Sequence, residues 1–287
     1  MTKVAVFGAN GQLGQTLQNQ AHNQIESYEF FNKEEADITN RDQIHKIFSN
    51  NSFKYCINCA AYTNVDGAEQ NKDIAFKINS EGVNNLSEIC KKHNVILIHI
   101  STDYVFEGKA TLPYKTTDKP NPINQYGKSK LDGECHVQKQ LEKYYIIRTS
   151  WLYSPYGKNF VKTILSKVKE DIDLKITTEE EGTPTSCIDL SNFIISIIEK
   201  GDVPYGIYNF SAKGSTNWYL FAVEVARNVF PNNVSKISPT SSYKTLANRP
   251  KYSVLNLEKT ELIYQNLKDW KESLKTVIQE IKKDAVL

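Results

Sequence analysis

Lys3-Val4-Ala5-Val6-Phe7-Gly8-Ala9-Asn10-Gly11-Gln12-Leu13-Gly14 decides the fold. Val4 to Phe7 is a short apolar run without polar alternation, the pattern of a strand buried on both faces of a parallel sheet. Gly8 closes it. Leu13 and Leu17 then repeat at i, i+4, so a helix begins near Gly11. In such a strand–turn–helix unit, Gly8 serves the tight turn and Gly11 lets the backbone approach a pyrophosphate. Gly14 lets the helix pack on the sheet, and the helix N-terminus faces the anion. Gly8, Asn10, Gly11, Gln12 and Leu13 are the expected cofactor contacts.

The same rhythm continues outward. Strand patterns start at Tyr28, Tyr55, Val95 and Tyr145. Helical faces run through Ile44 and Phe48, from Ala75 to His93, and from Tyr126 to Gln140. Alternation of this kind predicts an α/β fold, a Rossmann-like doubly wound parallel sheet with right-handed crossovers. After Trp151, Pro155, Pro184, Pro204, Pro231, Pro239 and Pro250 break the rhythm, which predicts a smaller C-terminal substrate-binding lobe. The expected division is 1–151 as an NAD(P)-binding domain, with roughly 186–210 returning to it, and 152–287 as mainly the lobe.

A chain of 287 residues suits one large domain or a domain with a lobe. Its 35 basic and 33 acidic residues nearly balance, which gives no reason to expect nucleic acid or a membrane surface as partner. Five unevenly spaced cysteines do not make a secreted disulfide framework. Cys56-x-x-Cys59 lies in an apolar run with no second ligand pair nearby, so it reads as two small core residues and no metal site is expected. No signal peptide or apolar run of ~18 residues is seen, and the expected location is cytoplasmic.

At the end of the second strand pattern, Asn32 and Lys33 occupy the positions where an acidic residue would hold the ribose of NAD. Lys33 suits a 2′-phosphate, so NADPH is expected; Glu34 and Glu35 keep NADH as the alternative. Asp37 and Ile38 are candidates to border the adenine, with Asp37 as a helix N-cap, in rivalry with Thr39 and Asn40, the other reading.

Tyr126 and Lys130 stand at i, i+4 and share a helix face, while Lys128 points elsewhere. An ammonium beside a phenol favours the phenolate, so the pair is expected to lower the phenol's pKa and pass a proton to a carbonyl oxygen as hydride reaches carbon. Ser101 and Thr102 end the strand that starts at Val95, where a hydroxyl faces the ligand crevice of a doubly wound fold. Either hydroxyl fits that role.

This set resembles the extended short-chain dehydrogenase/reductase superfamily. Within it, Asn58-Cys59-Ala60-Ala61-Tyr62-Thr63-Asn64-Val65-Asp66, Ser101-Thr102-Asp103-Tyr104-Val105-Phe106, Arg148-Thr149-Ser150-Trp151-Leu152-Tyr153, Gly182-Thr183-Pro184-Thr185 and Arg249-Pro250-Lys251-Tyr252-Ser253 resemble the dTDP-4-dehydrorhamnose reductase family over essentially the whole chain. The resemblance implies a Thr102, Tyr126 and Lys130 triad, with Ala60, Ala61 and Tyr62 along the cofactor and Asn79 as a supporting polar residue. It implies Asp103, Tyr104 and Trp151 beside the sugar, and Asn159, Phe160, Arg249 and Ser253 on the nucleotide-sugar side. Arg249 suits a diphosphate through bidentate hydrogen bonds. The implied reaction is reduction of the C4 ketone of a dTDP-linked 4-keto-6-deoxy sugar to dTDP-L-rhamnose. Gln15 stands after Gly14 where some relatives carry acidic residues that help bind Mg²⁺ at a dimer contact, so Mg²⁺ and that dimer are in question and a monomer or homodimer is expected. Glu179-Glu180-Glu181 replaces a more usual Asp-Gln pair. The rival readings are a nucleotide-sugar epimerase or dehydratase that recycles its hydride, and a non-catalytic regulatory subunit.

Overall fold

Six parallel strands form the centre of the molecule: β1 (Lys3–Phe7), β2 (Ser27–Phe31), β3 (Tyr55–Asn58), β4 (Ile96–Thr102), β5 (Tyr144–Thr149) and β6 (Gly206–Asn209). Their spatial order is β6-β5-β4-β3-β1-β2. The computed structural model describes residues 2–21, 26–242 and 244–284. The sheet is apolar on both faces, as the unalternating runs predict. Val4 and Val6 join one core with Ile57, Ile98 and Ile147, and Ala5 and Phe7 join the other with Cys56, Leu97 and Ile146. The period-2 geometry of a strand divides each run between the two faces.

Helices cover both sides. On the first face lie α1 (Gln12–Ala21), through Leu13 and Leu17, and the later helix Cys187–Lys200, through Leu190, Phe193 and Ile194. On the second lie α2 (Arg41–Asn50), α3 (Gly82–His93) and α4 (Gln125–Gln140), through Phe48, Leu86 and Val137. The predicted helix Ala75–His93 is not uniform. A helical turn Lys72–Phe76 and a π-helical turn Lys77–Glu81 precede α3. Wide turns of this kind concentrate at functional sites, and here the turn carries Asn79.

A third apolar cluster joins the helices Phe160–Lys169, Trp218–Val229 and Trp270–Asp284 through Ile164, Phe221 and Leu274. Strand order reverses between β1 and β3, and the carboxyl ends of β1, β3, β4 and β5 open there toward this later part of the chain. That reversal is the usual crevice of a doubly wound sheet. Gly14 shows why the first turn is tight. A Cβ there would stand 2.4 Å from the Gly8 carbonyl oxygen and 2.7 Å from Ala9 Cα. Gly14→Ala is therefore expected to push α1 off the loop, at a cost of about 1–3 kcal/mol, and to weaken dinucleotide binding at least about tenfold. Equilibrium titration of the folded variant with NADPH checks this, and unchanged affinity would remove Gly14 from the argument.

Candidate active site

One cleft of about 570 Å³ lies at the reversal point. Asn10, Gly11, Gln12 and Leu13 form one wall. Thr102, Asp103, Tyr104, Tyr126 and Lys130 form the floor, and Trp151, Trp218, Lys158 and Arg249 close it from the later part of the chain. Sequence spacing thus brought together residues from the first loop, β4, α4 and the Arg249 segment.

The position of Tyr126 is set by local chemistry. Asn124 caps α4, its side-chain oxygen accepting from the Gly127 N–H at 2.8 Å. A Cβ at residue 127 would lie 2.1 Å from the Tyr104 carbonyl oxygen, so only glycine lets the helix start against the end of β4. Tyr126 then faces Thr102, whose hydroxyl is in hydrogen-bonding reach of the phenol. Lys130, one turn on, is 2 % exposed and donates to the Ile100 carbonyl at 2.6 Å.

Burial, rather than a neighbouring ammonium, dominates these groups. It pushes the Tyr126 phenol up to about 12 against the lowering effect of Thr102, so the expected depression of the phenol by Lys130 is corrected. Desolvation is the largest influence on the phenol, and Lys130 is not among the groups that act on it. Lys130 is brought down to about 8 by burial, with the Glu134 carboxylate holding it up. Asp103 is pushed up to about 7 by burial, against hydrogen bonds from Ser253 and Thr102. Behind Lys130, Arg148 makes an ion pair with Glu134 at 2.7 Å, and Ser101 donates to the same carboxylate at 2.5 Å. Ser101 is thereby committed to Glu134, leaving Thr102 as the hydroxyl nearest the phenol.

Several expected residues play supporting parts. Asn79 is fully buried, not a helix-surface amide. Its oxygen accepts from the Tyr62 N–H, and its amide donates to the Tyr62 carbonyl and to Ser129 Oγ. It ties the loop after β3 to α4, with Ala61 in the cleft wall and Ala60 and Tyr62 beside it. Asn159 is corrected as a sugar contact. It caps the helix Phe160–Lys169 by accepting from the Lys162 N–H and donates to the Ser154 and Tyr156 carbonyls, so its amide is spent. Phe160 packs on Trp218 and Phe221 behind the cleft. Ser253 is 2 % exposed and faces the Asp103 carboxyl from behind.

On the adenine side, Ile38 is corrected: its side chain belongs to the second core, against Gly82 of α3. Asp37 accepts from the Thr39 N–H at 2.8 Å, and Asn40 is the cap of α2. Asn32 and Glu35 accept from each other's backbone N–H groups, and Lys33, Glu34 and Glu35 are all exposed on this loop. Gln15 donates to the Asn10 carbonyl at 2.7 Å. Cys56 and Cys59 lie on opposite faces of the sheet, one beside Cys90 and one in the cleft beside Lys130.

Sequence reasoning did not find Trp218, Glu180 or Asp66. Trp218 stacks on Trp151 with ring centroids 3.7 Å apart and donates from Nε1 to Glu180 at 2.9 Å. Trp151 holds a positive φ of 47°, a strained backbone that sets its ring at the cleft. Asp66 pairs with Arg249 at 3.0 Å, and Arg249 also donates to the Tyr104 hydroxyl, so Arg249 belongs to the cleft and not to an outer salt bridge.

The donor set fits a dinucleotide. The cleft reaches the start of α1, whose first turn carries no acidic side chain and directs backbone N–H groups at the opening. Beyond it stands a proton donor with a buried cation one turn away. Fold and site together define a dinucleotide-dependent carbonyl reductase of the short-chain dehydrogenase/reductase class. Comparison with known proteins narrows this. Residues 2–283 match the family model described as RmlD substrate binding domain. A dTDP-4-dehydrorhamnose reductase of Aggregatibacter actinomycetemcomitans is 36% identical, covering 96% of this chain and 98% of its own length. A dTDP-4-dehydrorhamnose reductase structure from Clostridium acetobutylicum superposes with a TM-score of 0.92 at 39% identity, over 98% of this chain and 100% of that one. One from Bacillus anthracis, in complex with NADP, gives 0.90 at 35% identity with the same coverage. The chain belongs to this family, that of the dTDP-4-dehydrorhamnose reductases. Among the described residues no helix is long and apolar enough to cross a membrane.

Proposed function

We propose that this protein reduces the C4 ketone of dTDP-4-dehydro-6-deoxy-L-mannose to give dTDP-L-rhamnose, with NADPH as the preferred reductant and NADH as the alternative. The observation that carries this is the convergence of Thr102, Tyr126 and Lys130 on one cleft with the glycine loop and Arg249. The reduced nicotinamide supplies hydride to the ketone carbon when bound. Tyr126, kept neutral by burial, holds the proton that the ketone oxygen needs. Thr102 is placed to hydrogen-bond the same oxygen. Lys130, fixed by Ile100 and Glu134, supplies positive charge as the phenol loses its proton and is placed to reach the nicotinamide ribose. Asn10 to Leu13 would hold the pyrophosphate, and Lys33, exposed just after β2, would take the 2′-phosphate. Trp151 and Trp218 offer a flat apolar wall to the sugar, and Arg249 a guanidinium to the diphosphate.

The test is a reduction assay with dTDP-4-dehydro-6-deoxy sugars, NADPH and NADH side by side. The expected result is one NADPH oxidised per ketone reduced, with NADPH preferred. Sugar conversion without net cofactor oxidation would establish the epimerase or dehydratase reading, and cofactor binding without any conversion the non-catalytic one.

A further inference from the structure

Thr102 has one proton to give, and Asp103 Oδ1 is within reach of it. Its hydroxyl donates to Asp103 Oδ1 at 3.0 Å while accepting from the Tyr104 N–H at 3.2 Å. In that arrangement Thr102 offers a ketone oxygen only lone pairs, which repel it. Asp103 is 2 % exposed, and its Oδ2 is buried with no hydrogen-bond partner. A carboxylate buried with one oxygen unpaired is costly, whereas a neutral carboxyl carrying its proton on Oδ1 is not. That proton points at Thr102 Oγ1.

We propose that Asp103 is a positioning residue that decides the direction of the Thr102 proton: in its neutral form it donates to Thr102 Oγ1 and turns the Thr102 proton to the ketone oxygen. The hydroxyl's two lone pairs are then filled by the Tyr104 N–H and the Asp103 O–H, and its proton is free for the substrate. Ionised Asp103 takes that proton back. Thr102 keeps its proton through the reaction; hydride goes to carbon, and the proton that makes the product hydroxyl leaves Tyr126. This inference rests on the reductase reading above.

The groups facing Asp103 set where it ionises. The neighbouring Ser253 hydroxyl favours the charged form; Glu180, half-buried against Trp218, opposes it. Tyr104 and Tyr126 flank it from the end of β4 and from α4, Arg249 stands beside Tyr104, and Lys130 lines the same floor. Burial wins, which places the carboxyl at about 7 and the Lys130 ammonium at about 8.

The experiment is kcat/KM for the keto sugar at saturating NADPH from about pH 6 to about pH 9, a parameter that reports groups in the form awaiting the sugar. In the wild type it falls as pH rises through about 7. In Asp103→Asn, whose amide donates permanently to Thr102, the fall near 7 is absent whatever the absolute rate, and the profile falls only through the Lys130 range near 8. Ser253→Ala removes a neighbouring hydroxyl that favours the carboxylate, so the first fall moves to higher pH. Glu180→Gln loses a nearby negative charge, so it moves to lower pH. These opposite shifts, read as midpoints in active enzymes, are not produced by a purely structural role. Superimposable profiles for wild type and Asp103→Asn, or Ser253→Ala and Glu180→Gln midpoints that do not move apart, overturn the proposal while leaving the reductase reading intact. Wild-type protein that oxidises no NADPH with the keto sugar at any pH overturns both. Should Asp103→Asn fail to fold, the Ser253→Ala and Glu180→Gln pair decides alone.

Discussion

Tyr126→Phe will bind NADPH as the wild type does and turn over the keto sugar about a thousandfold more slowly. The substitution removes one oxygen from a ring whose packing against Tyr104 is edge-on, at 5.8 Å between centroids, so the fold and the cleft walls stay. What is lost is the proton. General acid catalysis is worth roughly 10²–10⁴ in rate, and the middle of that range is expected where a ketone oxygen would otherwise gain full negative charge. The dominance of burial strengthens this expectation. A phenol held at about 12 is protonated throughout the neutral range, the state a reduction requires of its donor. Single-turnover NADPH oxidation with the sugar in excess, beside an equilibrium titration of NADPH, separates chemistry from binding. Turnover within about tenfold of wild type would remove Tyr126 as the donor. Equal loss of NADPH affinity would make it a structural residue.

Local patterning made much of this architecture readable. The apolar runs at Val4, Tyr55 and Ile96 serve both faces of one sheet, so their lack of alternation was itself the signal of a parallel fold. Gly8 to Gly14, the Ser101–Thr102 strand end and the Tyr126–Lys130 spacing were legible for the same reason: each function needs residues a few positions apart. What failed depended on distant packing. Ile38 could border a ligand or fill a core, and only the contact with Gly82 of α3 decides. Asn159 precedes the apolar helix Phe160–Lys169, and that capping position was the available sign of a structural duty. Trp218 and Glu180 reach the cleft through a stack and a hydrogen bond between separate segments, which no spacing encodes. The stiff part of the site was therefore written locally, and the part that faces the sugar was written in tertiary contacts.

The buried pair beneath that floor should give the largest change in stability. Arg148 is 2 % exposed and Glu134 fully buried, the two joined through Nε and Nη2, with the Arg148 guanidinium over the Phe106 ring at 5.2 Å. Ser101 and Thr102 pair in register with Arg148 and Thr149, so the ion pair fastens the ends of β4 and β5 to α4. Arg148→Met keeps most of the side-chain volume and leaves the Glu134 carboxylate with one side-chain hydrogen bond, from Ser101, and the Lys130 charge a turn away. Stranding one charge of a buried pair costs about 3–5 kcal/mol, which for a domain of this size lowers Tm by roughly 10 °C. Glu134→Leu combined with Arg148→Met removes both charges and should recover most of that loss, because the desolvation of two ions disappears with them. Thermal unfolding of the two single variants and the double variant, with NADPH absent so that binding does not contribute, measures the coupling. A single variant within about 2 °C of wild type would show that water or a shifted proton already satisfies the survivor. The double variant should also separate stability from catalysis. Lys130 stands one turn before Glu134 and owes part of its positive charge to that carboxylate, so a chain that regains its Tm without Glu134 is expected to lose activity at a lower pH than the wild type as Lys130 deprotonates earlier.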